Sequence, residues 1–271
     1  MHHRAGLTTD LRRLGLAPGD TVMVHASVRA VGDVAGGPDQ IHLAIKDAIT
    51  ETGTLLMYAG CPRYVDEVGR GCLTAEEEAD VLERLPPFDP LTARSARDHG
   101  VLVEFLRTYP GSLVNDHVAR FVAWGRHAAH LFSTQPWNYA FGAGSALERF
   151  VGLDGKLLLL GSDHDAVTFL HHAEHIVDIP AKRVARYKVP VEEQGRRVWR
   201  DQEEFDTANG VHANWPDRFF ARITDAYLSH TGNRGGLVGN AASVLFSSRG
   251  LFDFALPIMT AVAADPDAAP R

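Results

Sequence analysis

The stretch TFLHHAEH, residues 168–175, sets three histidines and a glutamate within five positions. Two chemistries use such a set. His171, Glu174 and His175 match H-x-x-E-H, the inverted zinc-protease signature, and zinc needs two imidazoles one turn apart on one helix face. That pattern fixes only three positions in a chain with 14 histidines. It also needs a third ligand, and no single downstream carboxylate stands out. The second chemistry is proton transfer. On a helical wheel Val167, Leu170 and Val177 form an apolar stripe, and Glu174 falls inside it. A carboxylate there must be paired or neutral, and His171, three residues earlier on the same side, is the partner. A carboxylate beside an imidazole fixes its tautomer and raises its basicity, which makes His171 a candidate general base. A core histidine merely pinned by Glu174 is the plain alternative. His172 and His175 turn further round the helix and are expected at partly exposed polar positions.

The elements that must hold these residues alternate as in a layered α/β sheet. A helix is expected over residues 9–14, stopped by Gly15, then a strand over 21–27, rich in β-branched residues. A loop over 28–40 leads to a helix over 39–51, with Pro38 at its first turn. A buried strand follows over 53–60. Residues 61–98 read as a long connection that contains LPPFDP, the kind that forms a lid or binding loop. Further on come a helix at 101–109, a strand at 121–125, a helix near 144–151 and a buried strand at 156–162. The histidine helix is expected from about Asp165. A hairpin turns at Gln194–Gly195, two helices close the chain, and 265–271 is a loose tail. No linker divides the sequence, so residues 1–271 are expected to be a single domain.

Composition narrows the function. The chain has 271 residues, 45% hydrophobic, enough for a sizeable core. A net charge of −7 argues against a nucleic-acid footprint. Seven acids lie between Asp66 and Glu83 against one base, Arg70. They fit either a solvated loop and an acidic helix start or an acidic lip that steers a polycation. Cys61 and Cys72 do not suggest a disulfide framework, and a reduced cytoplasmic setting is expected. The N-terminus lacks a signal-peptide core, and KLLLLG is too short to span a membrane.

Two longer patterns go further. LLLLGSDHDAVTFLHHAEHIVDIPAKRVARY resembles the signature of the aminoglycoside 3-N-acetyltransferases, the antibiotic acetyltransferase family with the YokD-like fold. It is carried by Leu158, Leu159, Leu160, Gly161, Thr168, Leu170, His171, Ala173, Glu174, Pro180, Lys182 and Arg183. LGLAPGDTVMVHASVRAVGDVAGG is similar to the family's upstream motif at Leu14, Gly15, Gly19, Asp20, Val24, His25, Ala26, Ser27, Arg29, Ala30, Gly32, Gly36 and Gly37. PPFDP and EFDT also match, so the likeness spans most of the chain. One departure is PGSLVNDHV, where Val114-Asn115 replaces the family's Arg-Ser and Val118 its last Pro.

The resemblance implies an α/β fold of three αβα layers on a mixed central sheet, unlike the GNAT acetyltransferase fold. RRLGLA, residues 12–17, fits the GNAT pyrophosphate loop literally, but it ends a helix, whereas that loop must precede one. The implied reaction moves an acetyl group from acetyl-CoA to the 3-amino group of the deoxystreptamine ring of an aminoglycoside, with no metal. His171 is then the base, Glu174 its support, and direct attack is expected, because neither cysteine has a histidine close in sequence. Backbone N–H groups of His25, Ala26, Ser27, Val28 and Arg29 are expected to stabilise the oxyanion, with Thr168 as an alternative. Arg29, Gly32, Gly36, Gly37 and the following helix start are expected to take the coenzyme phosphates. Tyr58 and Tyr64 are candidates for stacking on sugars, and Asp66, Glu67 and Asp206 for ammonium groups. The partner is a polycationic small molecule, with no nucleic acid and no membrane, bound by a monomer or homodimer. Two rivals remain: a zinc hydrolase using His171, Glu174 and His175, and a protein that only sequesters a polyamine or antibiotic.

Overall fold

Short apolar runs bounded by Gly, Pro and Asp become the central strands, and amphipathic stretches become the helices that cover them. A computed structural model describes residues 1–270. Arg271, the end of the expected tail, lies outside the described residues. The chain runs through α1 (Arg4–Leu14), β1 (Thr21–Ala26), a one-turn α2 (Val28–Val31), α3 (Asp39–Ile49), β2 (Thr54–Tyr58) and α4 (Ala75–Arg84). It continues with α5 (Leu102–Arg107), β3 (Leu113–Val114), β4 (Phe121–Gly125), α6 (Ala128–Leu131), α7 (Ala146–Gly152), β5 (Lys156–Leu160) and α8 (Leu170–Ile176). The hairpin β6 (Val184–Glu193) and β7 (Arg196–Phe205) comes next, then α9 (Phe219–Thr231), β8 (Gly236–Val238), β9 (Ala241–Ser247) and α10 (Ser248–Ala264).

Seven strands form one mixed sheet in the order β3-β4-β2-β1-β5-β9-β8. β1 pairs in parallel with β2 and with β5, and the outer pairs are antiparallel. Alternation sends Val22, Val24, Leu158 and Leu160 into a core under α1 and α3. Met23, Leu157 and Leu159 enter the opposite core with α7, α9 and α10. The result is three layers, αβα, as the sequence suggests. Each fully buried Leu or Phe contributes about 1.5–3 kcal/mol of apolar burial. β6 and β7 form a separate two-stranded sheet that turns at Gln194 (φ 53°) and Gly195 (φ 76°), the residues expected for that turn. Among the described residues no helix is long and apolar enough to cross a membrane.

Several boundaries differ from the sequence reading. α1 starts at Arg4, because Leu7 and Leu11 share one buried face, while Thr8 and Thr9 return their hydroxyls to the carbonyls of Arg4 and Ala5. The expected loop at 28–40 contains α2. The last two strands were not expected: β8 is only three residues long, and β9 is set by pairing with the distant β5. The histidine helix is shorter than expected. A 3₁₀ turn covers His164–Ala166, and Val167 is buried before α8 begins.

The long connection at 61–98 is tied down. Its acids include a helix start: the Thr74 hydroxyl accepts the Glu77 N–H (3.2 Å) and Glu77 accepts the Thr74 N–H (2.9 Å), a capping box. Arg120 is fully buried and donates to the carbonyls of Gly60 (3.0 Å), Pro90 (2.8 Å), Ala93 (2.7 Å) and Arg94 (2.5 Å). Glu104 receives Arg94, Ser95 and Arg107, and the Arg107 guanidinium holds its carboxyl far below the ordinary range.

Candidate active site

In an open α/β sheet, ligands enter at the carboxyl ends of the parallel strands, where neighbouring connections diverge. Here β1 is that point, since its two parallel neighbours are reached by connections to opposite sides. A cavity of about 660 Å³ opens at this edge. It is lined by His25 near the end of β1, Ser27 and Arg29 after it, Tyr58 at the end of β2, and Thr168 and His171 after β5. A second hollow of about 380 Å³, lined by Asn209, Trp215 and Arg218 among others, lies beyond His171 and Glu174. His171 borders both. Gly161 closes β5 at this edge in the left-handed region (φ 63°), and a Cβ there would lie 2.6 Å from that of Ala30. Only glycine fits.

The His171–Glu174 pair exists as the spacing predicts. His171 Nδ1–H donates to Glu174 Oε2 (2.8 Å), and Trp215 Nε1–H donates to Glu174 Oε1 (2.9 Å). The Glu174 side chain is 3% exposed and that of His171 22%. With Nδ1 protonated toward the carboxylate, Nε2 is the bare nitrogen. The rings of Phe141 (5.3 Å between centroids) and Phe220 (4.9 Å) fix the imidazole plane. Trp215 had no signal in the sequence, because it sits 41 residues from its partner in an irregular loop.

His172 and His175 are not partly exposed, contrary to expectation. His172 is buried, donates Nδ1–H to the Phe141 carbonyl (2.7 Å) and stacks on Phe252. His175 meets the carbonyl of His171 through Nδ1 (2.6 Å) and Glu204 through Nε2 (2.5 Å). Both are buried because α8 lies between the sheet-side core and the hairpin, so more of its surface is covered than a surface helix would have. His171 and His175 therefore point at different carboxylates. Among the described residues no three His, Cys, Asp or Glu side chains converge as metal ligands.

His25 has its Nε2 buried with no partner. Burial, then the nearby His99 and His171, push its pKa down to about 3, so the ring is neutral at working pH. His99 also lines the cavity, edge-on to Tyr58 (4.8 Å), and burial lowers its pKa as well. Neither the position nor the neighbours of His99 are signalled in the sequence. Burial raises the Tyr58 phenol well above its ordinary value. Ser27 caps α2 by accepting the Ala30 N–H (3.4 Å). Val28 and Arg29 occupy its first turn, whose N–H groups have no intrahelical partner.

The remaining expected residues lie away from this cavity. Gly32 faces the Asn240 side chain and His2, the exposed Gly36 packs on Gln40, and Gly37 has open space around it, while the His2 backbone bonds that of Asp33 and Ala35. Tyr64 lies under the Arg63 guanidinium beside α4. Asp66 takes the Arg70 guanidinium (3.1 Å), and the Glu67 carbonyl accepts the Cys72 thiol. Asp206 accepts the Asn209 N–H in its own turn (3.1 Å). The departure at Val114-Asn115 is structural: Asn115 accepts the Phe121 N–H (2.5 Å) and donates to the Ala119 carbonyl (3.2 Å) in the buried turn joining β3 to β4.

Residues 23–260 match the family model described as aminoglycoside 3-N-acetyltransferase. The chain is 40% identical over 260 residues to aminoglycoside N(3)-acetyltransferase III of Pseudomonas aeruginosa, covering 94% of this chain and 92% of that protein. It superposes on AAC-IIIb in binary complex with CoASH with a TM-score of 0.88 at 42% identity, covering 95% and 96% of the two chains. On YokD from Bacillus subtilis the TM-score is 0.85 at 29% identity, covering 96% and 100%. With the family model matching nearly nine-tenths of its length, the chain belongs to the aminoglycoside 3-N-acetyltransferase family.

Proposed function

We propose that this protein transfers the acetyl group of acetyl-CoA to the 3-amino group of the 2-deoxystreptamine ring of aminoglycosides, with His171 as the general base. One observation carries this reading. His171 is tethered to a buried carboxylate through Nδ1 and offers Nε2 to a cavity at the carboxyl ends of β1, β2 and β5.

The cavity suits an acyl thioester. Bound acetyl-CoA supplies an activated acyl group and a thiolate leaving group. The first-turn N–H groups of Val28 and Arg29 offer donors to the carbonyl oxygen as negative charge grows on it, with Thr168 of the same cavity as an alternative. His25 stays neutral and adds no competing cation.

The acceptor amine is mostly ammonium at pH 7 and attacks only as the free base. His171 Nε2 takes its proton as the N–C bond forms and the C–S bond breaks, then delivers it to the leaving sulfur. Glu174 stabilises the imidazolium, and Trp215 keeps Glu174 from rotating away. Of the tyrosines expected to stack on sugars, Tyr58 lines the cavity and is the one we assign to acceptor contact. Asp66, Glu67 and Asp206 contribute at longer range, as part of a net charge of −7 that attracts a polycation, and Tyr64 offers only its ring face.

Thiol release from acetyl-CoA with kanamycin, gentamicin or apramycin, followed by NMR mapping of the product, tests this. The expected result is stoichiometric thiol and a 3-N-acetyl product. Thiol release with none of the three drugs contradicts the function, and acetyl on a different amine contradicts the regiochemistry.

A further inference from the structure

We propose that His175 and Glu204 are a positioning pair that holds the His171 imidazole in its working orientation; this rests on the reading of His171 as the base. His175 carries acceptors on both nitrogens: the carbonyl of His171 on Nδ1 (2.6 Å) and Glu204 Oε1 on Nε2 (2.5 Å). Each ring nitrogen is thus placed to donate, Nδ1 to a backbone carbonyl and Nε2 to a carboxylate. Glu204 is completed by the N–H of Ala140 on Oε2 (2.6 Å) and of Phe205 on Oε1 (2.9 Å). The two side chains are 1% and 4% exposed.

A pair buried this deeply is a weak source of stability, since apolar replacements often do as well. Its geometry indicates another use. Ala140 precedes Phe141, whose ring lies 5.3 Å from that of His171 and 5.7 Å from that of His175. The His172 side chain bonds the Phe141 carbonyl (2.7 Å). A closed circuit therefore runs from the His171 carbonyl through His175, Glu204, Ala140 and Phe141 back to the His171 ring. It grips the base from its backbone and from its face. The same pair joins α8 to β7, which belongs to the separate hairpin sheet, and Lys182 reinforces the joint by donating to the His175 carbonyl (2.9 Å) above the Phe205 ring.

The test compares Glu204→Gln, His175→Phe and the double variant, each checked for a cooperative melt. Each single variant is expected to lower kcat about tenfold while KM for acetyl-CoA stays within about twofold, and the double variant to be no worse than the poorer single one, because the two act as a unit. Unchanged kcat in folded single variants, or losses that multiply in the double, overturn the proposal. In the wild-type protein, NMR of labelled imidazole nitrogens is expected to show His175 protonated on both. A bare nitrogen on His175 overturns the proposal even if a variant does not fold. Failure of the underlying reading appears elsewhere, as turnover surviving in His171→Ala.

Discussion

At the scale of single residues, the proposed reactive unit is His171 Nε2 backed by Glu174 and Trp215. Removing the indole N–H leaves one oxygen of a buried carboxylate unbonded, which costs on the order of 1.5–3 kcal/mol for a charged acceptor. Trp215→Phe is therefore expected to lower kcat by about tenfold or more, with KM for acetyl-CoA nearly unchanged, in steady-state thiol release. Glu174→Gln keeps the shape but removes the charge that stabilises the imidazolium, and a fall in kcat of about 10² or more is expected. The His171–Glu174 contact was legible because both residues lie within one helical turn, where spacing and apolar pattern suffice. Trp215 and Glu204 were not, being 41 and 29 residues from their partners. His175 was misjudged for the same reason: its environment is set by a hairpin that helix periodicity does not describe.

At the scale of elements, what matters is how the cavity wall is held. Arg120 ties together backbone from Gly60 to Arg94, and with it the approach to Tyr58 and His99. Arg120→Met leaves four carbonyls without their donor. It is expected to cost about 3–5 kcal/mol in urea unfolding, comparable to removing one partner of a buried ionic network. A second test lies in α3. Lys46 is buried with no hydrogen-bond partner, its ammonium 3.1 Å above the Tyr109 ring, and burial pushes its pKa down to about 7 despite Asp39. Between that value and its ordinary 10.5 the unfolded chain binds the extra proton, so stability rises with pH across this window and is lost as pH falls through about 7. Lys46→Met is expected to flatten that slope between about pH 7 and about pH 10 and to add about 1–2 kcal/mol at pH 7, because cation–π attraction offsets only part of the desolvation. The central strands and the capped helix α4 were readable, since hydrophobic runs and the Thr74–Glu77 box are local signals. β8 and the early start of α1 were not, because both depend on packing against distant elements.

At the scale of the whole molecule, a mixed sheet between two apolar cores brings the ends of β1, β2 and β5 to one edge, and His171 to the same place. Strand order follows from long-range pairing, so no window of sequence contains it. The family resemblance supplied the layered fold, and of the glycines at 32, 36 and 37 only Gly32 lies against the N-terminal segment. Net charge acts at this scale too. With −7 overall, attraction of a polycationic acceptor is screened by salt. KM for kanamycin is expected to rise several-fold between about 50 and about 300 mM salt, whereas kcat, set by local geometry, stays nearly constant.

The central claim is that the His171 imidazole accepts the proton of the attacking amine. Single-turnover acetyl transfer to kanamycin, measured for the wild type and His171→Ala with acetyl-CoA binding checked by calorimetry, tests it most directly. The expected result is a rate lower by about 10² to 10⁴ with coenzyme affinity preserved. A variant that transfers acetyl at near the wild-type rate would contradict it.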